Sequence, residues 1–137
     1  MKGGDFANAG EASCHVKDIL KEIGVSSDIV RRVAIAAYEA EMNVVMYARE
    51  GAVHMRVTPE MIALVVEDQG RGIEDIELAM QEGYSTATEE MREMGFGAGM
   101  GLPNIKRNAD TFEIASTVGE GTRLDIRFNM RTERGDE

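Results

Sequence analysis

Ile29, Val33, Ala37, Ala40, Val44 and Tyr47 follow one another at steps of 4, 4, 3, 4 and 3. That is the spacing of one buried face of an α-helix. Ile35, Met42, Val45 and Met46 carry apolar character further round the cylinder, so a long helix over about Ile29–Arg49 is expected at the centre of the fold, packed on more than one side. Ser26-Ser27-Asp28 offers N-caps, and Gly51 is the expected stop. A helix this apolar needs a layer to cover it, and the chain after Gly51 changes period from 3.6 to 2.

Val53–Thr58 and Met61–Glu67 read as strands joined by a tight turn at Pro59-Glu60. Ile62-Ala63-Leu64-Val65-Val66 is a near-continuous apolar run, which predicts a strand covered on both faces. Phe112–Thr117 and Arg123–Phe128 form a second pair about the turn Gly119-Glu120-Gly121, with Leu124, Ile126 and Phe128 alternating against Arg123, Asp125 and Arg127. Before the long helix, Val16, Ile19, Leu20 and Ile23 predict a helix over Glu11–Ile23 stopped by Gly24. The first ten residues are expected to hold a short edge strand or to fray. A short helix is expected over Glu74–Gln81, a mobile loop over Glu82–Gly101, and a helix over Leu102–Ala109 with Pro103 in its first turn. No repeat or linker interrupts these elements. The expectation is one α/β domain over residues 1–130, with a polar, disordered tail at 131–137.

Lys and Arg number 15 against 25 Asp and Glu, a net charge of −10, which excludes general binding to nucleic acid through phosphates. A functional meaning of this acidity, beyond solubility, would be a partner with a basic face. The single cysteine, Cys14, cannot close an internal disulfide, and His15 beside it points elsewhere on a helix, so an inert or buried thiol is expected. No apolar run approaches membrane-spanning length and no secretory segment is evident, so the expectation is a cytoplasmic protein without a membrane partner.

Four motifs stand in order: Glu39-x-x-x-Asn43, Asp68-Gln69-Gly70-Arg71-Gly72-Ile73, Gly95-Phe96-Gly97-Ala98-Gly99-Met100-Gly101-Leu102, and Gly119-Glu120-Gly121-Thr122. Glu39 and Asn43 stand one turn apart beside small Ala36 and Ala40, where a ligand can approach. An amide oxygen suits Mg²⁺ beside an anionic triphosphate, and a carboxylate suits a general base. Asp68 ends a strand, where α/β ligand sites form, and can accept from an exocyclic amine, which selects adenine over guanine. Gly70 and Gly72 permit close approach of a planar ligand. The alternate glycines before Leu102 put exposed N–H groups and a helix N-terminus in reach of phosphates. A Rossmann fingerprint is excluded because a charged stretch precedes them, and a P-loop because Leu102-Pro103-Asn104 stands where Gly-Lys-Ser/Thr is needed.

With these motifs the chain resembles the GHKL (Bergerat-fold) ATPases, and within them the anti-sigma regulatory factor branch of serine/threonine protein kinases. Glu39-x-x-x-Asn43 resembles the N-box, Asp68-x-Gly70-x-Gly72 the G1 box, Gly97-x-Gly99-x-Gly101-Leu102 the G2 box and Gly121-Thr122 the last box, across about Glu11–Phe128. The resemblance implies a two-layer α/β sandwich, a mixed and mostly antiparallel sheet on about three helices, with ATP under a lid over about Ile73–Gly101. It implies ATP or ADP and Mg²⁺ as cofactors, Asn43 as metal ligand and Glu39 as base. Asp68 would hold the adenine amine with Thr122; Gly70, Gly72 and Ile73 would line the nucleotide, and Gly97, Ala98, Gly99, Met100, Gly101 and Leu102 would cradle phosphates. Tyr47 stands where many members have His.

Two activities follow from the resemblance. One is a kinase passing phosphate to a Ser or Thr of a STAS-domain partner, with Arg71, Arg92 or Lys106 as candidate cation for the γ-phosphate. The other is a nucleotide-gated module that holds a sigma factor or another regulator with little catalysis. The resemblance is also compatible with a homodimer formed through the N-terminal segment.

Overall fold

The computed structural model describes residues 1–81 and 101–130. After a 3₁₀ turn at Phe6–Asn8 come α1 (Glu11–Glu22), α2 (Ser27–Tyr47), β1 (Ala48–Val57), β2 (Met61–Gly70), α3 (Ile76–Ala79), α4 (Gly101–Asn108), β3 (Thr111–Thr117) and β4 (Gly121–Asn129). The strands form a four-stranded sheet in the order β1-β2-β4-β3. Every pairing among them is antiparallel, so the parallel component of the expected mixed sheet is not found among the described strands. The two-layer sandwich is as expected: α2 lies on the sheet between α1 and α4.

Strand alternation writes the core in rows. Val53, Val66, Leu124 and Ile114 stand side by side across the sheet; Met55, Leu64, Ile126 and Phe112 form the next row, and Val57, Ile62 and Phe128 a third. These rows meet Val33, Ala37, Ala40 and Val44 of α2 in one cluster with Leu20 and Ile105. Full burial of each large side chain, such as Phe128 or Leu64, stabilises the fold by roughly 1.5–3 kcal/mol.

On the other face Ala63 lies between Arg56 and Arg127, and Val65 between His54 and Asp125; both are half-exposed. The expectation that β2 is covered on both faces is therefore corrected. The outward apolar residues are small or β-branched and sit among charged side chains, whose aliphatic stems can shield them without a second layer.

The long helix ends at Tyr47, the last residue of its apolar series and two residues short of the expected Arg49. Residues 48–52, of which only Ala48 and Arg49 were expected to be helical, open β1 instead and pair with residues 67–70 of β2. The N-terminal segment supports this: Lys2 bridges Glu50, Gly3 N–H bonds Arg49 O at 2.8 Å, and Gly51 N–H bonds Met1 O at 2.9 Å. Tertiary pairing overrides local propensity there. Gly51, the expected helix stop, lies inside the strand, where a Cβ would meet Glu67 O at 2.8 Å.

Two groups of polar contacts fix the helices. Ser26 takes the N-cap position of α2 without a side-chain cap bond. The N-terminus of α1 is capped from a distance: the buried carboxylate of Glu41 accepts from Gly10 N–H at 3.0 Å, Ala12 N–H at 3.2 Å and Ser13 N–H at 3.0 Å. An anion there meets the orphan donors and the positive end of the helix dipole. At the far side, Arg32 Nε donates to Asn108 O at the end of α4 at 3.0 Å and pairs with Asp110 at 3.3 Å. Asp110 in turn accepts from Asn129 N–H at 2.7 Å. These contacts hold the C-terminal end of α4 against α2 and the sheet. Among the described residues no helix is long and apolar enough to cross a membrane. Cys14 is exposed, not buried. The expected tail, 131–137, lies outside the described residues.

Candidate functional site

The inward face of β2 reads Ile62, Leu64, Val66 and then Asp68. Residues two apart share a face, so the row after the three apolar ones is polar, and Asp68 points toward the helices. Its neighbour on β1 is Gly51, which has no side chain, and on β4 it faces Thr122, which is paired with Ser116 of β3. Thr122 N–H donates to Asp68 Oδ1 at 3.1 Å, and the Thr122 and Ser116 hydroxyls lie 2.8 Å apart. Partial burial pushes the Asp68 carboxyl above its ordinary 3.8, and the Thr122 N–H bond partly offsets that rise.

Ser116 was not singled out by sequence. Its Oγ accepts the Ile73 N–H at 2.8 Å and contacts Gly121 O at 3.2 Å, so one hydroxyl ties the Asp68–Ile73 segment to both closing strands. The same segment is held by Gly70 N–H to Glu120 O at 3.3 Å and Gly119 N–H to Arg71 O at 2.8 Å. Two glycines make the approach possible. Gly72 has φ +77°, and a Cβ there would stand 2.5 Å from Thr117 O; Gly121 has φ +150°, and a Cβ there would collide with Asp68 O. Ile73 is thus committed by its amide to Ser116, while its side chain packs against the core.

The second end of the site stands where α2 faces the start of α4. Glu39 and Asn43 project together, and a Cβ built on Gly101 would lie 3.4 Å from Asn43 Oδ1 and 3.7 Å from Glu39 Oε1. Asn104 Nδ2 donates to Glu39 Oε2 at 3.0 Å and its Oδ1 accepts from Arg107 at 2.9 Å. Asn104 too was missed by sequence, because its partner lies 65 residues away. The Asn43 side chain is half-buried and has no hydrogen-bond partner among the described residues. The Leu102 side chain is buried in the core. Gly97, Ala98, Gly99 and Met100, with Arg92 and most of the expected lid, lie outside the described residues.

Of the two remaining cation candidates, Arg71 lays its guanidinium over the Tyr47 ring at 4.7 Å, which anchors the Asp68–Ile73 segment to the last turn of α2. Lys106 is exposed and two residues past Asn104, on a different face of α4.

The structure therefore sets a half-buried carboxylate at the end of a strand, and a paired acid and amide at a glycine-led helix, on one helix-and-sheet scaffold. That is the layout of a GHKL-superfamily nucleotide-binding domain, built on an antiparallel sheet with helices on one face. The chain belongs to the histidine kinase-like ATPase domain family, which it matches over residues 5–128. It is 32% identical over 112 residues to the serine/threonine-protein kinase RsbT of Bacillus subtilis, covering 79% of this chain and 78% of that protein. It is 38% identical over 92 residues to the anti-sigma F factor of Caldanaerobacter subterraneus, covering 64% of this chain and 61% of that one. Among solved structures, the mycobacterial sensor histidine kinase MprB superposes with a TM-score of 0.56 at 17% identity, over 90% of this chain and 93% of that one. That likeness supports the fold alone.

Proposed function

We propose that the protein is an ATP-dependent serine/threonine protein kinase of the anti-sigma regulatory type, acting on a Ser or Thr of a STAS-domain-like partner. The observation that carries this is the Glu39 carboxylate, held by Asn104 at 3.0 Å beside Asn43 at the start of α4. A site that only bound nucleotide would not need an oriented base there. The names of the two relatives, a serine/threonine-protein kinase and an anti-sigma F factor, support the same reading.

Asp68 accepts from the adenine amine, with the Thr122 hydroxyl beside it, and the ordered Asp68–Ile73 segment forms the floor under the base. Gly101, which has no side chain beside Asn43 and Glu39, leaves room for the phosphates. Glu39 takes the proton from the acceptor hydroxyl as its oxygen bonds to the γ-phosphorus and ADP departs. The unpartnered amide of Asn43 fits a Mg²⁺ ligand, since that ion keeps waters and takes few protein oxygens beside phosphates; when bound it neutralises phosphate charge. Glu39 can also polarise the hydroxyl rather than remove its proton early, with the same residue requirement.

The test is to incubate the protein with labelled ATP, Mg²⁺ and purified STAS-domain proteins of the same organism. Label transfer that disappears in Glu39→Ala supports the kinase. Nucleotide binding without transfer would instead make the protein a nucleotide-gated binder of a sigma factor or another regulator, and absence of nucleotide binding would remove both.

A further inference from the structure

The apolar character of α2 extends past the face that meets the core. Ile35 and Tyr38 take no part in the core cluster, and Tyr38 is 42% exposed. Together with Arg31 they form a stripe at 31, 35 and 38, the spacing of one helix face. That stripe lines a cleft of about 580 Å³ between α1 and α2. Lys17 and Lys21, one turn apart on α1, line the opposite wall, and Glu39 stands at one end.

The charge of this cleft runs against that of the chain. Its lining holds Lys17, Lys21 and Arg31 against the single carboxylate of Glu39, in a protein of net charge −10. Arg31 pairs with Asp28 at 3.3 Å, but Lys17 and Lys21 have no ion-pair partner among the described residues. Cations left unpaired beside exposed apolar side chains favour a segment that is apolar in the middle and acidic at its edges. The cleft also adjoins the site, because Glu39 is among its lining residues and is the residue that Asn104 holds.

We propose that the α1–α2 cleft docks an acidic, apolar-centred segment of the acceptor protein and so delivers its hydroxyl toward Glu39. The identification of the occupant with the acceptor rests on the kinase reading above; the preference for an acidic apolar segment rests on the cleft alone. Lys17, Lys21 and Arg31 steer and orient the segment, and Ile35 and Tyr38 take its apolar side chains.

The test needs no catalysis, so its failure is distinct from failure of the kinase reading. A fluorescein-labelled amphipathic peptide with Leu and Phe on one face and Glu on the flanks is titrated with the full chain without ATP. A counterpart carrying Lys for every Glu is run beside it. The expected result is binding of the Glu peptide only, weakening as salt is added. Lys17→Glu with Lys21→Glu should weaken it by about ten-fold, and Tyr38→Ala by a similar factor. Circular dichroism of each variant checks that the fold is kept, and Lys17→Arg with Lys21→Arg, which keeps the charge, should bind like the wild type. Equal affinity for both peptides, no binding of the Glu peptide, or binding indifferent to the lysine reversals would overturn the proposal. So would a wild-type dimer in sedimentation that Tyr38→Asp dissolves, since the cleft would then be covered by a second copy of the chain.

Discussion

Asn104 donates its side-chain amide to Glu39 across 3.0 Å, and this bond joins α4 to α2 beside Gly101. It leaves Glu39 Oε1 as the oxygen nearer Gly101. Glu39→Ala is expected to lower phosphoryl transfer by about 10²–10⁴-fold, the usual contribution of a positioned base. Asn104→Ala keeps the base but frees its orientation, so kcat should fall about ten-fold with ATP affinity unchanged. Steady-state kinetics alongside equilibrium ATP titration separates the two parameters.

Asp68 gives opposite signs for stability and binding. Its folded pKa lies above 3.8. The folded state therefore holds the proton more tightly than the unfolded chain, so this contribution to stability is complete below pH 3.8 and is lost as pH rises through the raised value. Adenine needs the ionised carboxylate, so nucleotide affinity should fall as pH drops through the same range. Asp68→Asn is expected to raise the melting temperature of the free protein at pH 7 and to weaken ATP about ten-fold or more. Thermal melts with and without ADP read both effects; a variant destabilised without nucleotide would contradict the assignment.

Glu41 is 2% exposed and accepts three backbone N–H bonds at the start of α1. Glu41→Ala leaves those donors without an anion and should cost about 3 kcal/mol, read as a lowered urea midpoint. Because none of the residues assigned to the nucleotide lies on α1, the folded fraction should still bind nucleotide.

Gly121→Ala brings a Cβ against the Asp68 carbonyl at φ +150°. Relief requires β4 to move from β2 just where Thr122 meets Asp68. A loss of about 1–3 kcal/mol in stability is expected, with weakened nucleotide binding in calorimetry. Gly119→Ala serves as the comparison, since a Cβ there meets nothing within 4 Å, although its φ of +85° still carries backbone strain.

Much of this layout was legible in the chain itself. The steps from Ile29 to Tyr47 and the alternation of Leu124, Ile126 and Phe128 mark their elements because helix and strand periods are local properties of the backbone. The motif glycines were legible for a similar reason: Gly72 and Gly121 adopt backbone conformations that side chains rarely take. Ser116 was within reach of the same logic, as the inward residue of β3 after Phe112 and Ile114, but register with Thr122 was needed to give it a role.

The sequence by itself determined the class of site, because a carboxylate after an apolar strand, an acid and amide one turn apart, and glycines before a helix are local patterns with local chemistry. Only the tertiary structure decided which residues complete it. Asn104 meets Glu39 across 65 positions, Glu41 caps a helix about 30 residues earlier, and residues 48–52 became strand because the N-terminal segment and β2 pair with them. Those contacts depend on how α4 and the sheet close on α2, and no window along the chain holds both partners.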